Sequence, residues 1–349
     1  MTPLYGDPPG FSVIIPTYQR RDSLLRVLAG LAAQLYPRTL IDVLVVCDGG
    51  TDGTAEMVRA RPYPFPVRVL QEPNQGPAAA RNLGLAQARG PFVLFLDDDV
   101  VPTPCLLAEH ARAHGNARDL AVIGPLLPPV GLRAPWIRYE TQTLEKQYQA
   151  MEDGRWAPSP RQFYTGNASV RLEHLRRAGG FDAAFRRAED VELGFRLQRL
   201  GVKFVFHRLA AATHIASRPF AAWLRNAYEY GQADVAMAQL KGESHILESV
   251  AREFHWRHPY TRRLVRFGLR HRRIASPLPV VVRLMARLAM ATGRSSIAYG
   301  LCSGIFNLYY WYGLSDRLGA VQAVEALLAS QAGLAASMRS ERFPVRVRP

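Results

Sequence analysis

Cysteine is scarce in this chain: Cys47, Cys105 and Cys302 are the only three in 349 residues, and they lie far apart. Their number and spacing exclude a disulfide framework and a cysteine-rich zinc site, and they suit a reducing compartment. Lysine is equally rare. Only Lys146, Lys203 and Lys241 occur among 44 basic residues, so the positive charge is almost wholly arginine. At the N-terminus no apolar run follows a charged segment; residues 1–10 are polar and rich in proline and glycine. A secretory leader is therefore not expected, and the chain is expected to act in the cytoplasm. No internal repeat is visible.

What the chain does have is apolar bulk. With 48% hydrophobic and 21% charged residues it can bury a sizeable core, which excludes wholesale disorder. Its length fits about two domains, or one large α/β domain with an appendage. The positive charge is local. Between Ala251 and Arg294 stand eleven arginines and one acid, Glu253, so this stretch carries +10 of the net +15 and leaves +5 for the rest. That distribution points to a basic surface facing phosphates, either lipid headgroups or another polyanion, rather than to a globally basic nucleic-acid binder. The plainer alternative is a general preference for arginine over lysine.

The first half alternates strand and helix signals, the pattern of a parallel sheet with crossover helices. Residues 11–15 (FSVII) form an apolar run ended by Pro16, and 21–36 place Leu24, Leu25, Leu28, Leu31 and Leu35 at helical spacing. A second buried strand is expected at 43–47, closed by Asp48-Gly49-Gly50, with Thr51 and Asp52 as caps for a helix over 55–59. A third strand is expected at 67–70, a third helix at 77–89, and a fourth strand at 91–96 that runs into Asp97-Asp98-Asp99. After the proline-rich stretch at 125–135 the pattern becomes α+β, with a helix at 187–200 and a strand at 203–206. Beyond about residue 220 helical signals dominate. There, 297–314 runs 18 residues without a charge and includes Asn307, Tyr309, Tyr310, Trp311 and Tyr312. It reads as a buried helix, an interfacial membrane helix or a short span.

In an open parallel sheet the loops at the strand ends face one crevice, where ligands bind. Three of these ends carry unusual polar residues: Thr17, Asp48 and the triplet Asp97–Asp99. Adjacent carboxylates in a partly dry site repel one another. A bound divalent cation removes that repulsion, and carboxylate oxygens suit Mg²⁺ or Mn²⁺. The competing reading makes the triplet a solvated loop capping the helix after Pro104.

Five segments resemble the inverting family 2 glycosyltransferases of GT-A fold. They are FSVIIPTYQR at 11–20, VVCDGGTDGT at 45–54, NQGPAAARNLGLAQARGPFVLFLDDD at 74–99, YTGNASVRLEHLRRAGGFD at 164–182 and AEDVELGFRLQRLGVKFVFH at 188–207. They follow the family's order and spacing over roughly residues 11–220. The resemblance implies an α/β GT-A nucleotide-diphospho-sugar transferase domain, Rossmann-like with a mostly parallel sheet, over 1–220. Residues 221–349 then form a basic, mostly helical C-terminal extension.

Carried over residue by residue, the resemblance has Pro16, Thr17 and Tyr18 frame the nucleotide base and Asp48 hydrogen-bond it. Cys47 stands where the family often has another Asp. Asp97 and Asp99 match the outer acids of the D-x-D motif, with Asp99 as metal ligand and Asp97 or Asp98 reaching the ribose. Arg81 falls near the donor diphosphate, and His214 where many members place a histidine that helps hold the metal or diphosphate. Asp190 matches the catalytic base, and Glu189 before it is expected on the acceptor side. Gly166 and Asn167 lie in a loop facing donor and acceptor. For these residues alternatives stand: Glu189-Asp190 as an ordinary acidic helix start, Gly166-Asn167 as a simple turn, His214 as a structural histidine. His207 reads as structural.

The chemistry asks for the same residue types. A departing diphosphate needs its developing charge neutralised, which a divalent ion does. The attacking hydroxyl must lose a proton, which a placed carboxylate accepts. Burial against Val191, Leu193 and Phe195, with Glu189 adjacent, would raise the pKa of Asp190 towards that role. The expected donor is a nucleoside-diphosphate sugar, most readily a UDP-sugar, and the cofactor Mn²⁺ or Mg²⁺. No Gln-x-x-Arg-Trp motif of processive synthases is present, so single-sugar transfer is expected.

The segments 262–273 (RRLVRFGLRHRR) and 280–290 (VVVRLMARLAM) mix arginines with apolar residues at helical spacing. Basic amphipathic helices read as membrane-surface elements. A peripheral enzyme at the inner face of the cell membrane, acting on a lipid-linked or cell-envelope glycan acceptor, is the leading expectation. The alternatives are a soluble small-molecule or protein acceptor, and a non-catalytic nucleotide-sugar or nucleic-acid binding module. Nucleic acid is not expected, because the arginines lack interleaved aromatic stacking platforms.

Overall fold

The computed structural model of the chain describes residues 8–131, 134–215 and 218–342, with side chains up to 335. The chain forms two compact units, one of residues 1–132 and 141–216, the other of 133–140 and 217–349.

The first unit begins with β1 (Phe11–Thr17), α1 (Arg21–Ala32), β2 (Ile41–Asp48), α2 (Thr54–Arg59), β3 (Val67–Glu72), α3 (Pro77–Gln87) and β4 (Phe92–Leu96). It continues through β5 (Val100–Pro102), α4 (Leu106–His114), β6 (Leu120–Ile123), β7 (Leu126–Leu127), α5 (Pro135–Glu152, of which 135–140 count with the second unit), β8 (Asn167–Arg171), α6 (Leu172–Arg177), α7 (Glu189–Arg199), β9 (Lys203–Phe206) and β10 (Ala212–His214). Seven strands make the main sheet in the order β3-β2-β1-β4-β8-β6-β9. Pairing is parallel except for β8, which runs antiparallel to both neighbours. A small second sheet sets β10 between β5 and β7.

Both faces of the main sheet are covered, which is why its strands are continuous apolar runs rather than alternating ones. Phe11, Val13 and Ile15 of β1 pack with Leu24, Leu28 and Leu107 on one face. Ile14 packs with Ala80, Phe95 and Leu193 on the other. Gly84 lets α3 lie close on β1, since a Cβ there would sit 2.6 Å from Cγ2 of Ile14.

Several boundaries differ from the sequence reading for tertiary reasons. β1 runs through Pro16 to Thr17, because Pro16 lies beyond the last rung with β4, where its missing N–H breaks no ladder on that side. α1 stops at Ala32 rather than 36. The amide of Leu35 donates to the Pro104 carbonyl (2.8 Å), and Tyr36 leaves to pack against Phe11. Neither expected cap holds the N-cap position of α2, which Gly53 takes in a left-handed conformation; Asp52, one residue earlier, accepts from the amide and hydroxyl of Thr54, and Thr51 accepts from Gln19. The acid triplet does not cap the helix after Pro104, because β5 intervenes and α4 starts only at Leu106.

The second unit is helical: α8 (Phe220–Lys241), α9 (Ser244–Trp256), α10 (Pro259–Arg270), α11 (Leu278–Ala291), α12 (Ser295–Leu318) and α13 (Val321–Arg342). The uncharged run 297–314 lies in α12, the buried centre of this unit, with Cys302, Ile305, Leu308, Trp311 and Leu314 facing inward. A reciprocal glycine contact brings α8 and α12 together backbone to backbone. A Cβ on Gly231 would meet the Tyr310 carbonyl oxygen at 2.0 Å, and one on Gly313 the Tyr228 oxygen at 1.8 Å. Among the described residues no single helix is long and apolar enough to cross a membrane; α12 and α13 pass that test only together, across a bend of 110°.

Candidate active site

The site grows from the C-terminal ends of β1, β2 and β4, where the sheet stops and side chains leave the core. After β4 the three acids diverge. Asp98 turns inward, its Oδ2 accepting from the Thr17 hydroxyl at 2.8 Å and its Oδ1 from Arg20 Nη1 at 3.1 Å. Asp99 accepts from the same Nη1 at 2.6 Å. Asp97 turns the other way, onto Arg81 Nη2 at 2.8 Å.

His214 reaches this group through strand pairing. β10 runs antiparallel to β5 with His214 opposite Val100, one residue from Asp99, and His214 Nε2 stands 3.4 Å from Asp99 Oδ1. Asp99 is consequently held low, at about 2. Burial opposes this, and the hydrogen bond and charge of His214 with the Arg20 guanidinium outweigh it. Asp98 is pushed up to about 6, chiefly by burial, against the opposing pull of Arg20 and Thr17.

Arg81 joins the donor-side acids to the start of α7. It is buried on α3, with Nη1 2.8 Å from Glu189 Oε1 and Nη2 on Asp97. The resemblance sets this arginine against the diphosphate; here its guanidinium is engaged by two carboxylates and holds them in place. Beside Glu189, Asp190 accepts from the Val191 amide at 2.8 Å and the Thr165 amide at 3.4 Å. Asp190 keeps a partly accessible surface yet lies deep enough for burial to be the first cause raising its pKa, to about 7. The Glu189 charge adds to the rise, while Arg81 and the two amides pull against it.

Gly166 and Asn167 do form the simple turn, closed by the Asn167 amide donating to the Tyr164 carbonyl at 3.2 Å. Gly166 passes close to Asp97, and a Cβ there would be 3.0 Å from Asp97 Oδ2. Asn167 is a correction. Expected on the acceptor side, its side chain instead points into the core, 1% exposed, bonded to His110, Ala210 and Pro125. Asp48 is likewise buried, its two oxygens accepting from the Gln75 and Gly76 amides at 2.7 and 2.9 Å, so it orders the loop before α3. Pro16 is half-buried, and the Tyr18 ring is open to solvent beside it.

The motifs gave no role to Arg20, although it closes the first quoted segment and contacts two of the three acids. Backbone strain went unseen as well. Among the described residues only Gln19 (φ 55°) and Ala188 (φ 59°) combine a side chain with positive φ. One immediately precedes Arg20 and the other Glu189, and such strain gathers at functional sites. An open concavity of about 360 Å³ is lined by Gln19, Arg20, Arg21, Asp22, Ser23 and Asp52.

Among the described residues no three His, Cys, Asp or Glu side chains converge as a closed metal cage. Asp99 and His214 present one oxygen and one nitrogen. That pair can give two of the ligands of a divalent cation that takes the rest from substrate phosphate oxygens and water, and the nitrogen suits Mn²⁺ better than Mg²⁺.

The sequence profile described as Glycosyl transferase family 2 matches residues 12–188. Glycosyltransferase AglE of Haloferax volcanii is 28% identical over 237 residues, which cover 66% of this chain and 75% of that protein. Further curated relatives are matched over smaller shares of their own lengths, 64% in one case and 16% in another. Among solved structures, mannosyltransferase PcManGT from Pyrobaculum calidifontis, in complex with GDP-Man and Mn²⁺, superposes with a TM-score of 0.59 at 22% identity, covering 86% of this chain and 87% of its own. Staphylococcus aureus TarS 1-349 in complex with UDP-GlcNAc gives 0.52 at 22%, covering 89% and 92%. These similarities place the chain in the GT-A fold. With the profile spanning half of the sequence, including the strand ends that carry Thr17, Asp48 and Asp97–Asp99, the chain belongs to glycosyl transferase family 2.

Proposed function

We propose that this enzyme moves one sugar from a nucleoside-diphosphate sugar to an acceptor hydroxyl by direct displacement, inverting the anomeric centre. The observation that carries the reading is the chain Asp97–Arg81–Glu189, which fixes the start of α7, and with it Asp190, against the donor-side acids. In this reading Asp190 is the general base, with a pKa near working pH, where a base is most effective. Tyr18 and Pro16 flank the nucleotide base, and Asp97, half-buried beside Gly166 and held through Oδ1 by Arg81, turns its other oxygen to the ribose. Arg20, paired with Asp98 and Asp99, offers a positive charge beside the proposed metal-holding pair. A divalent ion held by Asp99 and His214 would supply Lewis-acid neutralisation of the leaving diphosphate.

For the donor base, UDP and GDP are both to be tested, since TarS is solved with UDP-GlcNAc and PcManGT with GDP-Man. For the acceptor we favour an envelope glycan or lipid-linked carrier; one relative, matched over 91 residues, is named for a polymeric acceptor, poly(ribitol-phosphate).

A thermal-shift panel of nucleoside diphosphates with and without Mn²⁺ tests the donor assignment, since a ligand that binds only the native state raises the melting point. One nucleotide should raise it more with Mn²⁺ present, and Asp99→Ala should abolish the Mn²⁺-dependent part. No shift with any nucleotide would contradict the reading. The anomeric configuration of the product, read by NMR, tests inversion.

A further inference from the structure

Helix α11 turns most of its large apolar residues outward. Val282, Ala286 and Ala289 face inward, whereas Val280, Val281, Leu284, Met285 and Leu288 are 64%, 46%, 63%, 49% and 66% exposed. At about 100° per residue, these five occupy the arc opposite the buried face, with exposed Arg283 and Arg287 along one edge. Ile274, just before the helix, is also exposed. Contiguous exposed apolar patches of this kind mark interaction surfaces.

The surrounding charge identifies the occupant. α11 lies within the stretch that carries +10 of the net charge. Arg270 and Arg272 are neutralised by Glu325 and Asp316, and Arg287 stacks over Trp136. Arg273, Arg283 and Arg294 are exposed and carry no ion pair among the described residues. An aliphatic stripe edged by unneutralised arginines matches the boundary between acyl chains and anionic headgroups. A second copy of the chain fits less well, because two such basic faces would repel. Nucleic acid would call for aromatic platforms in place of leucine and valine.

We infer that the outer face of α11 docks the protein onto an anionic lipid bilayer, with Val280, Leu284 and Leu288 entering the acyl boundary while Arg273, Arg283 and Arg294 meet the headgroups. The inference is independent of the reaction proposed above. Attachment is peripheral and reversible, and it weakens with salt.

The test is co-sedimentation of the full chain with vesicles of phosphatidylcholine alone or mixed with phosphatidylglycerol, at low and high salt. Binding should require phosphatidylglycerol and fall at high salt. Leu284→Gln and Leu288→Gln, at exposed positions that leave the fold intact, should each weaken partitioning about tenfold. The triple variant Arg273→Gln, Arg283→Gln, Arg294→Gln should weaken it about 100-fold, roughly fivefold per charge. Failure to bind either vesicle, binding indifferent to phosphatidylglycerol, or binding unchanged by the leucine variants would overturn the inference. So would concentration-dependent dimerisation that Leu284→Gln abolishes, which would make a second copy the occupant.

Discussion

As the proposed general base, Asp190 shows at the scale of one residue how function and stability would pull apart. Its carboxyl, raised to about 7 by burial and by Glu189, must be ionised to accept a proton. Turnover should therefore climb with pH through about 7 and then level. Glu189→Gln removes the neighbouring negative charge, so the rising limb of the kcat profile should move to lower pH; an unmoved limb would separate the profile from Asp190. Stability has the opposite sign. The native state holds a proton that the unfolded chain has already released above the ordinary carboxylate pKa of about 4, so this group destabilises the fold progressively as pH rises from about 4 to 7. Asp190→Asn should melt higher than the wild type at neutral pH, with the advantage vanishing in acid. Arg81 is the converse case. Replacing it by Met strands Glu189 without its buried cation, at a cost of about 3–5 kcal/mol, readable in a denaturant titration.

Elements explain what the sequence could and could not convey. Strands β1, β2 and β4 were legible because burial on both faces makes them unbroken apolar runs. The end of α1 was not, because it is set by the Leu35 amide reaching Pro104, about 70 residues away in sequence. The small sheet was invisible for a related reason. β10 has three residues and no pattern of its own, yet its register against β5 is what delivers His214 to Asp99. Adjacent residues can also have opposite fates, and no spacing rule signals which way a side chain turns at a strand start. Gly166 touches the site, while Asn167 opens β8 and faces the core. Asn167→Ala should therefore lower stability by about 1–3 kcal/mol, leaving His110 and the Ala210 carbonyl short of a partner, with acceptor KM unchanged. A raised KM at unchanged stability would restore its acceptor-side role. In the helical unit, Gly313→Ala forces a methyl against the Tyr228 carbonyl. It should lower the melting point, with about 1–3 kcal/mol lost to overpacking.

Across the whole molecule the two units differ in how their chemistry is encoded. The first carries it in motifs, where acids at strand ends announce a ligand crevice before any coordinates are known. The second carries it in composition: an arginine excess concentrated in 251–294 marks a surface but not which helix face forms it, and the burial of Val282, Ala286 and Ala289 shows that. The uncharged run of α12, open to three readings in sequence, proved to be the centre of a helical unit because glycines on α8 and α12 allow contact that side chains would forbid. Family membership and fold thus agree, and the proposed reaction rests on a single carboxylate, Asp190. The most direct test is steady-state transfer by Asp190→Asn, with its nucleotide-induced thermal shift measured in the same preparation. Turnover should fall ~10²–10⁴-fold while the Mn²⁺-dependent nucleotide shift stays at its wild-type size. Wild-type turnover in a variant that still binds nucleotide would contradict the account.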